Sequence, residues 1–166
     1  TSSSVLIFGL AKGLATEVGK NLALGGIKNI YLYDKDNINQ SDLETGFYYS
    51  VDSIGQSRSQ VLANKLQELN PYVTVQSVDT FDKQQNVTIL INQSVETIKI
   101  ISDYCRINNS KLVVLYSKGV SGVVFVDAGN SHLVTDSTGE TIESVQIGEI
   151  NSDGKVKCAP HNSHDF

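Results

Sequence analysis

The chain has 166 residues, a formal net charge of −5 and a hydrophobic fraction of 40%. That length suits one domain with room for part of a second, and the negative balance without a basic cluster argues against nucleic acid as the main partner. No apolar run approaches the roughly 20 residues of a membrane helix, so no membrane partner is expected, and no signal-peptide pattern opens the chain.

Residues 5–8 are a short apolar run ending in Gly9, which predicts a buried strand. Residues 13–24 carry Leu14, Val18 and Leu22 at helical spacing, and Gly25-Gly26 stops them as a C-cap does. Residues 29–33 form a second strand that runs into Asp34 and Asp36. Strand, helix and strand in this order are a βαβ unit with a right-handed crossover. A polar loop follows over residues 36–57, interrupted by Gly46-Phe47-Tyr48-Tyr49. Residues 59–69 place Leu62, Leu66 and Leu69 on one stripe, and Asn70-Pro71 ends that helix. Strands are predicted over 72–78 and 87–91. A helix with Val95, Ile98, Ile101 and Cys105 on one face comes next, then a fifth strand over 112–116. The alternation gives the α/β class, a Rossmann-like, mostly parallel sheet with helices on both faces.

After Ser117 the pattern turns β-rich. Residues 119–129 and 131–136, with Gly129-Asn130 between them, predict an antiparallel extension. Asp153-Gly154 predicts a hairpin near the end. The last 30 or so residues have too few large apolar side chains for a core of their own. The expected organisation is therefore residues 1–135 as one partial domain and 136–166 as the start of another, truncated. The absence of methionine fits a piece of a longer protein.

The turn after the first strand is the first candidate site. In a dinucleotide-binding turn, successive glycines permit the bend, the approach of the pyrophosphate and the packing of the helix on the strand. Gly9 and Gly13 fit such roles, but Ala11, Lys12 and Ala15 do not. A Cβ at the second position crowds a phosphate, although a helix N-terminus still attracts an anion. The turn is thus either a working cradle or a purely structural bend. Asp34 and Asp36 stand roughly 20 residues on, where an acid holds ribose hydroxyls or simply caps a loop. Arg58 opens a helix, where a cation is disfavoured by the helix dipole. That placement points to an acidic partner such as the Asp34/Asp36 loop, while Lys65 reads as a solvated helix residue.

Cys105 lies on an apolar stripe and reads as a small core residue. His132 falls in a predicted apolar strand and reads as structural. Cys158, His161 and His164 are too few and too irregular for a zinc site, and the two cysteines make no CxxC pair, which fits a reducing compartment. The N-x-S/T triplets at Asn39, Asn86, Asn92 and Asn108 read as accidental. No nucleophile elbow, zinc-protease motif or Walker lysine is present. No catalytic residue and no metal ligand is assigned.

The segments from "SVLIFGLAKGLATEVGKN" through "QELNPYV", with "FVDAGNSHLVTDSTGE" and "VQIGEINSDGKVK", together resemble the ubiquitin-activating enzyme family. The likeness is to its N-terminal, inactive adenylation half, running end to end into the first catalytic-cysteine half-domain. The "DSTGE" continuation is more similar to the single-chain ubiquitin enzymes than to the small subunits of the SUMO- and NEDD8-activating heterodimers. The resemblance implies an adenylation-domain fold shared with bacterial enzymes that activate a carboxyl terminus with ATP. It also implies, for the parent protein, ATP and magnesium held mainly by an active half, ubiquitin or a ubiquitin-like partner, and a cytoplasmic and nuclear location.

In the active half of the family an Asp-x-Asp pair, an Arg-Gln-Phe segment, a lysine and an Asp-Asn pair build the site. Asp34 and Asp36 match the first. The second reads Thr45-Gly46-Phe47, the lysine reads Arg58 and the last pair reads Asn92-Gln93. The resemblance therefore implies a vestigial nucleotide site at Gly9, Gly13, Asp34, Asp36 and Arg58. It implies no cofactor and no activity for this chain alone, and a scaffolding role beside the active half. The alternative reading is a dinucleotide-binding Rossmann domain of an oxidoreductase or sensor. Apolar surface around the helices that start near Gly13 and Ser59 is expected to promote self-association.

Overall fold

The computed structural model describes residues 3–11, 13–82 and 85–134, and the backbone of two strands at 145–150 and 156–160. Val5, Leu6 and Ile7 form the interior of strand β1 (Ser4–Phe8). Helix α1 (Gly13–Leu24) follows. It ends as its glycines predict: the Gly26 amide donates to the Ala23 carbonyl, Ile27 donates to Leu22, and Gly26 adopts φ +79°. Strand β2 (Asn29–Tyr33) completes the first βαβ unit.

The crossing loop is more ordered than its polar composition suggests. It holds two short 3-10 helices, Gln40–Glu44 and Val51–Ser53. Helix α2 (Arg58–Gln67) is capped by Ser57, whose hydroxyl accepts from the Gln60 amide at 3.4 Å. Strands β3 (Thr74–Ser77) and β4 (Val87–Ile91) follow. Helix α3 (Val95–Ile107) is capped in the same way by Ser94. Strands β5 (Lys111–Lys118) and β6 (Ser121–Asp127) close the sheet.

The sheet order is β3-β2-β1-β4-β5-β6. The first five strands are parallel, with Val5 beside Ile30 and Ile7 beside Ile89. β6 returns antiparallel on β5, pairing Val124 with Leu115. This is the doubly wound arrangement expected from the alternating elements. Its strand order reverses between β1 and β4, where such sheets open a crevice at their carboxyl ends. One face packs Ile7, Ile30, Leu32, Leu62 and Leu66 under α1 and α2. The other packs Leu90, Leu112 and Val114 against Ile101 and Cys105 of α3. Cys105 is a buried core residue, and burial pushes its thiol up from the ordinary 9.0 against opposing hydrogen bonds to Thr88 and Ser110.

The chain divides into two compact units, Thr1–Ser131 and His132–Phe166. In the second, strands β7 (Val145–Ile150) and β8 (Val156–Pro160) pair antiparallel with an irregularity between Ile147 and Glu149. One expectation fails. Residues 131–134 are exposed and not in a strand, so His132 has no apolar strand around it. The reason is local: Gly129 adopts φ +81°, which breaks the extended backbone directly after β6. Residues 135 and 136 of that predicted strand lie outside the described residues, as do Lys12, His161, His164 and the side chain of Cys158. Among the described residues no helix is long and apolar enough to cross a membrane. Nor is any group of three or more His, Cys, Asp or Glu placed to hold a metal ion there.

Candidate functional site: a crevice closed by its own side chains

The carboxyl ends of β1, β2 and β4 converge on a cleft of about 230 Å³ lined by Gly9, Asp34, Asp36, Arg58, Asn92 and Gln93, among others. Four of the five sequence-predicted residues thus meet. Gly13 does not line this cleft; it faces a second hollow with Thr45 and Lys118.

Gly9 adopts φ +97°, a region where only glycine is unstrained. A Cβ there would stand 2.3 Å from Gln93 Nε2 and 2.4 Å from the Ile91 carbonyl oxygen. The bare backbone is therefore used, but by Gln93, whose side chain lies on it and donates to the Ile91 carbonyl at 2.9 Å. Gly13 is pressed in the same way. A Cβ on it would meet the Thr45 carbonyl oxygen at 2.3 Å, and the Gly13 amide donates to Thr45 Oγ1 at 3.4 Å. The first turn of α1 is covered by the crossing loop.

The acids are equally engaged. Asp34 Oδ2 accepts from the Leu10 amide at 2.7 Å, and Oδ1 accepts from the Asp36 amide at 2.9 Å. This carboxylate braces the turn. Arg58 lies inward, its side chain 6% exposed. Its Nε donates to Asp42 Oδ2 at 2.9 Å, and its Nη1 reaches Asp36 at 3.2 Å and Asp34 at 3.5 Å. Burial favours loss of the guanidinium proton, but the hydrogen bond to Asp42 and the charges of Asp34, Asp42 and Asp36 outweigh it and raise the Arg58 pKa. The misplaced helix-start cation finds its acidic partners as its position predicted. Lys65 sits half-exposed, 3.7 Å from Glu68.

Asp42 was not singled out by sequence reasoning, yet it is buried and central. Its Oδ2 also accepts from the Asn39 amide at 3.0 Å, and Asn39 Oδ1 accepts from the Ser41 amide at 2.9 Å. The readable signal is the Asn-x-x-Asp spacing of a cap at the start of a short helix. Tyr49 was also missed. Its hydroxyl donates to the Leu10 carbonyl at 3.0 Å, joining the crossing loop to the glycine turn. Asn92 sits at φ +52°, a conformation asparagine tolerates better than most residues. Its Oδ1 accepts from the Ser117 amide at 2.8 Å and ties β4 to β5.

Burial pushes the Tyr49 phenol well above its ordinary 10.0, helped by the charges of Asp34 and Asp42 and opposed by Arg58. The folded chain holds this proton more tightly than the unfolded one. Tyrosine's contribution to stability is therefore complete below pH 10.0 and declines as pH rises beyond it. Tyr49→Phe is expected to lose about 1 kcal/mol at neutral pH with the hydrogen bond. It is also expected to flatten the alkaline fall measured by urea unfolding across pH 8 to 11. An equally steep fall in the variant would remove Tyr49 from this role.

The chain as a whole has relatives among known proteins. The ThiF family model matches residues 1–126. The chain is 35% identical over 172 residues to ubiquitin-like modifier-activating enzyme 1 of Mus musculus, across 99% of this chain and 16% of that protein. It is 36% identical over 167 residues to a ubiquitin-activating enzyme of Candida albicans (strain WO-1), again spanning 16% of the relative. Among solved structures, E. coli MccB with succinimide superposes with a TM-score of 0.70 at 19% identity, covering 77% of this chain and 41% of that one. MccB with AMPCPP and MccA gives a TM-score of 0.62 at 21% identity, covering 68% of this chain and 36% of that one. At that identity the likeness is one of fold, and it is the same mostly parallel, doubly wound sheet. By its sequence match over residues 1–126 and its agreement in fold, this chain belongs to the ThiF family.

Proposed function

We propose that this chain is a non-catalytic adenylation half of a ubiquitin-activating enzyme. In this reading it serves as a scaffold for the half that performs ATP-dependent activation of ubiquitin or a ubiquitin-like protein. The observation that carries the reading is the closure of the crevice. Gln93 lies on Gly9 and Arg58 is spent on three carboxylates, while beside the cleft Thr45 lies on Gly13 at the start of α1. A nucleotide brings several negative charges, and stabilising them takes cations aimed at the phosphates. The described cleft offers Asp34 and Asp36 around a guanidinium that is already paired. Asn92 carries no charge where a magnesium-binding site needs a carboxylate. The same closure disfavours a dinucleotide, whose pyrophosphate needs the backbone that Gln93 covers.

A partner surface supports the scaffold role. β6 is exposed on both faces: Val124 is 70% exposed and Phe125 54% exposed. The run from Val123 to Val126 is apolar throughout, and contiguous apolar surface of this kind marks an interaction site. The apolar surface expected around the helices that start near Gly13 and Ser59 is not there, because Leu14 and Leu22 of α1 and Val61 of α2 pack against the core; the exposed apolar run is that of β6 instead. The active half is the partner proposed for it, with ubiquitin or a ubiquitin-like protein gripped weakly by this chain. In the parent protein, ATP and magnesium belong to that active half.

Titration calorimetry with magnesium-ATP, NAD and FAD is expected to give no heat for any of them. Micromolar ATP binding together with ubiquitin-dependent pyrophosphate exchange would overturn the proposal, and heat with NAD or FAD would favour the dinucleotide reading instead. Sedimentation is expected to show self-association of the isolated chain that Phe125→Asp and Val123→Asp abolish; a clean monomer at high concentration removes β6 as the partner surface.

A further inference from the structure

The six-stranded sheet ends at β6. Its one neighbour is β5, so the backbone groups along its other edge meet no strand among those described. An open edge templates further pairing, and edge strands are commonly blunted by a charge, a proline or a bulge. β6 has none of these between its ends. Residues 122–126 are uncharged and free of proline, and the pairs with β5 run from Ser121 to Asp127 without a register shift. The side chains are as open as the backbone: Val123, Val124, Phe125 and Val126 are each more than half exposed.

Residues paired across antiparallel strands share a face of the sheet. Val123 and Phe125 therefore stand on the face of Tyr116 and Val114, the one that α3 covers further in. Val124 and Val126 share the opposite face with Leu115 and Val113. Two copies of one strand, paired antiparallel, are related by a two-fold axis, and the assembly closes as a dimer. With that axis at Val124, Val124 meets its own counterpart, Val123 meets Phe125 and Gly122 meets Val126. The larger side chain thus falls beside the smaller one in each unequal pair. Asp127, already bonded to Arg106, falls beside Ser121, which shares its row with Lys118. No like charges are opposed. Other registers fit worse. An axis at Phe125 sets Asp127 against Val123, and an axis at Val123 carries Val126 and Asp127 past the end of the opposing strand.

We infer that the free edge of β6 docks a second copy of this chain, antiparallel about Val124, so that two six-stranded sheets continue as one. The hold comes from main-chain hydrogen bonds, and the alternate side chains set the register, as in strand addition to a sheet edge. This inference rests on the reading of β6 as the partner surface and not on the adenylation reading.

A residue on the two-fold axis faces itself, and this gives a specific test by sedimentation of the full chain. Val124→Lys and Val124→Glu each place like charges opposite one another, which disfavours pairing. Each variant is expected to raise the dimer dissociation constant by about tenfold or more. An equal mixture of the two is expected to recover the dimer, because lysine then faces glutamate. Hydrogen exchange in wild type is expected to slow at alternate β6 amides as concentration rises, since the amides between them already bond β5. Unchanged exchange of β1, β2 and β4 amides reports an intact fold. Self-association that Val124→Lys leaves unchanged, or a mixture no better than either variant, overturns this pairing while leaving other contacts on β6 open. A wild-type chain that stays monomeric at high concentration overturns the pairing and the partner surface together. If the variants do not fold, the concentration series in wild type decides: no alternation along β6 overturns the pairing.

Discussion

An Arg58→Met variant is expected to unfold at a much lower denaturant concentration than wild type, with a loss of about 3–5 kcal/mol. The methionine keeps most of the buried stem. What disappears is the cation facing Asp42, which is 3% exposed at its side chain, and Asp34, which is 9% exposed. Breaking a buried pair leaves its partner charged without compensation, and that residual charge carries most of the cost. Two further variants separate charge from packing. Asp42→Asn in the Arg58→Met background is expected to recover part of the loss, because the stranded charge is gone. Asp36→Asn should cost less than about 1 kcal/mol, since its carboxylate is 77% exposed and screened. If Arg58→Met and Asp36→Asn cost the same in urea unfolding, the buried Asp42 contact is not what holds the loop.

Gly9→Ala is the second large effect, with an expected loss of about 3–4 kcal/mol from overpacking added to a left-handed backbone. The new methyl group would meet both the Gln93 amide and the Ile91 carbonyl oxygen. Removing the first obstacle does not remove the second. Gln93→Ala should therefore fail to rescue Gly9→Ala, because the Ile91 carbonyl belongs to the β4 backbone and has nowhere to go. Full rescue measured by thermal unfolding would mean that the side chain alone, and not the strand, sets the requirement for glycine.

The fold was legible because its signals are local. Leu14, Val18 and Leu22 repeat at helical spacing, Gly25-Gly26 closes α1, and the apolar run at residues 87–91 coincides with β4. Gly9, Asp34, Asp36 and Arg58 were also legible, since each sits at a strand or helix end. What the sequence hid was how those residues are occupied. Asp42 lies 16 residues from Arg58, and Tyr49 lies 39 residues from Leu10, inside a loop with no period to read. Gln93 looked like a missing ligand, and nothing local shows that it covers Gly9. The strand expected over 131–136 illustrates the opposite error. Leu133 and Val134 suit a strand, but residues 131–134 are in none, following a turn at residues 127–131 that is held by Arg106 and Lys111.

Asn92 couples the crevice to the stability of the sheet behind it. Its amide group joins β4 to β5 through Ser117, at a backbone angle that suits asparagine. An Asn92→Asp substitution would lose the Nδ2 donor and add a third carboxylate to a cleft whose one arginine is already claimed by Asp42. Freeing that arginine would in turn strand Asp42. Each single step toward a phosphate-binding site therefore lowers stability before it improves chemistry. The contacts that keep this sheet folded thus oppose, one by one, the substitutions that would open the cleft to a phosphate.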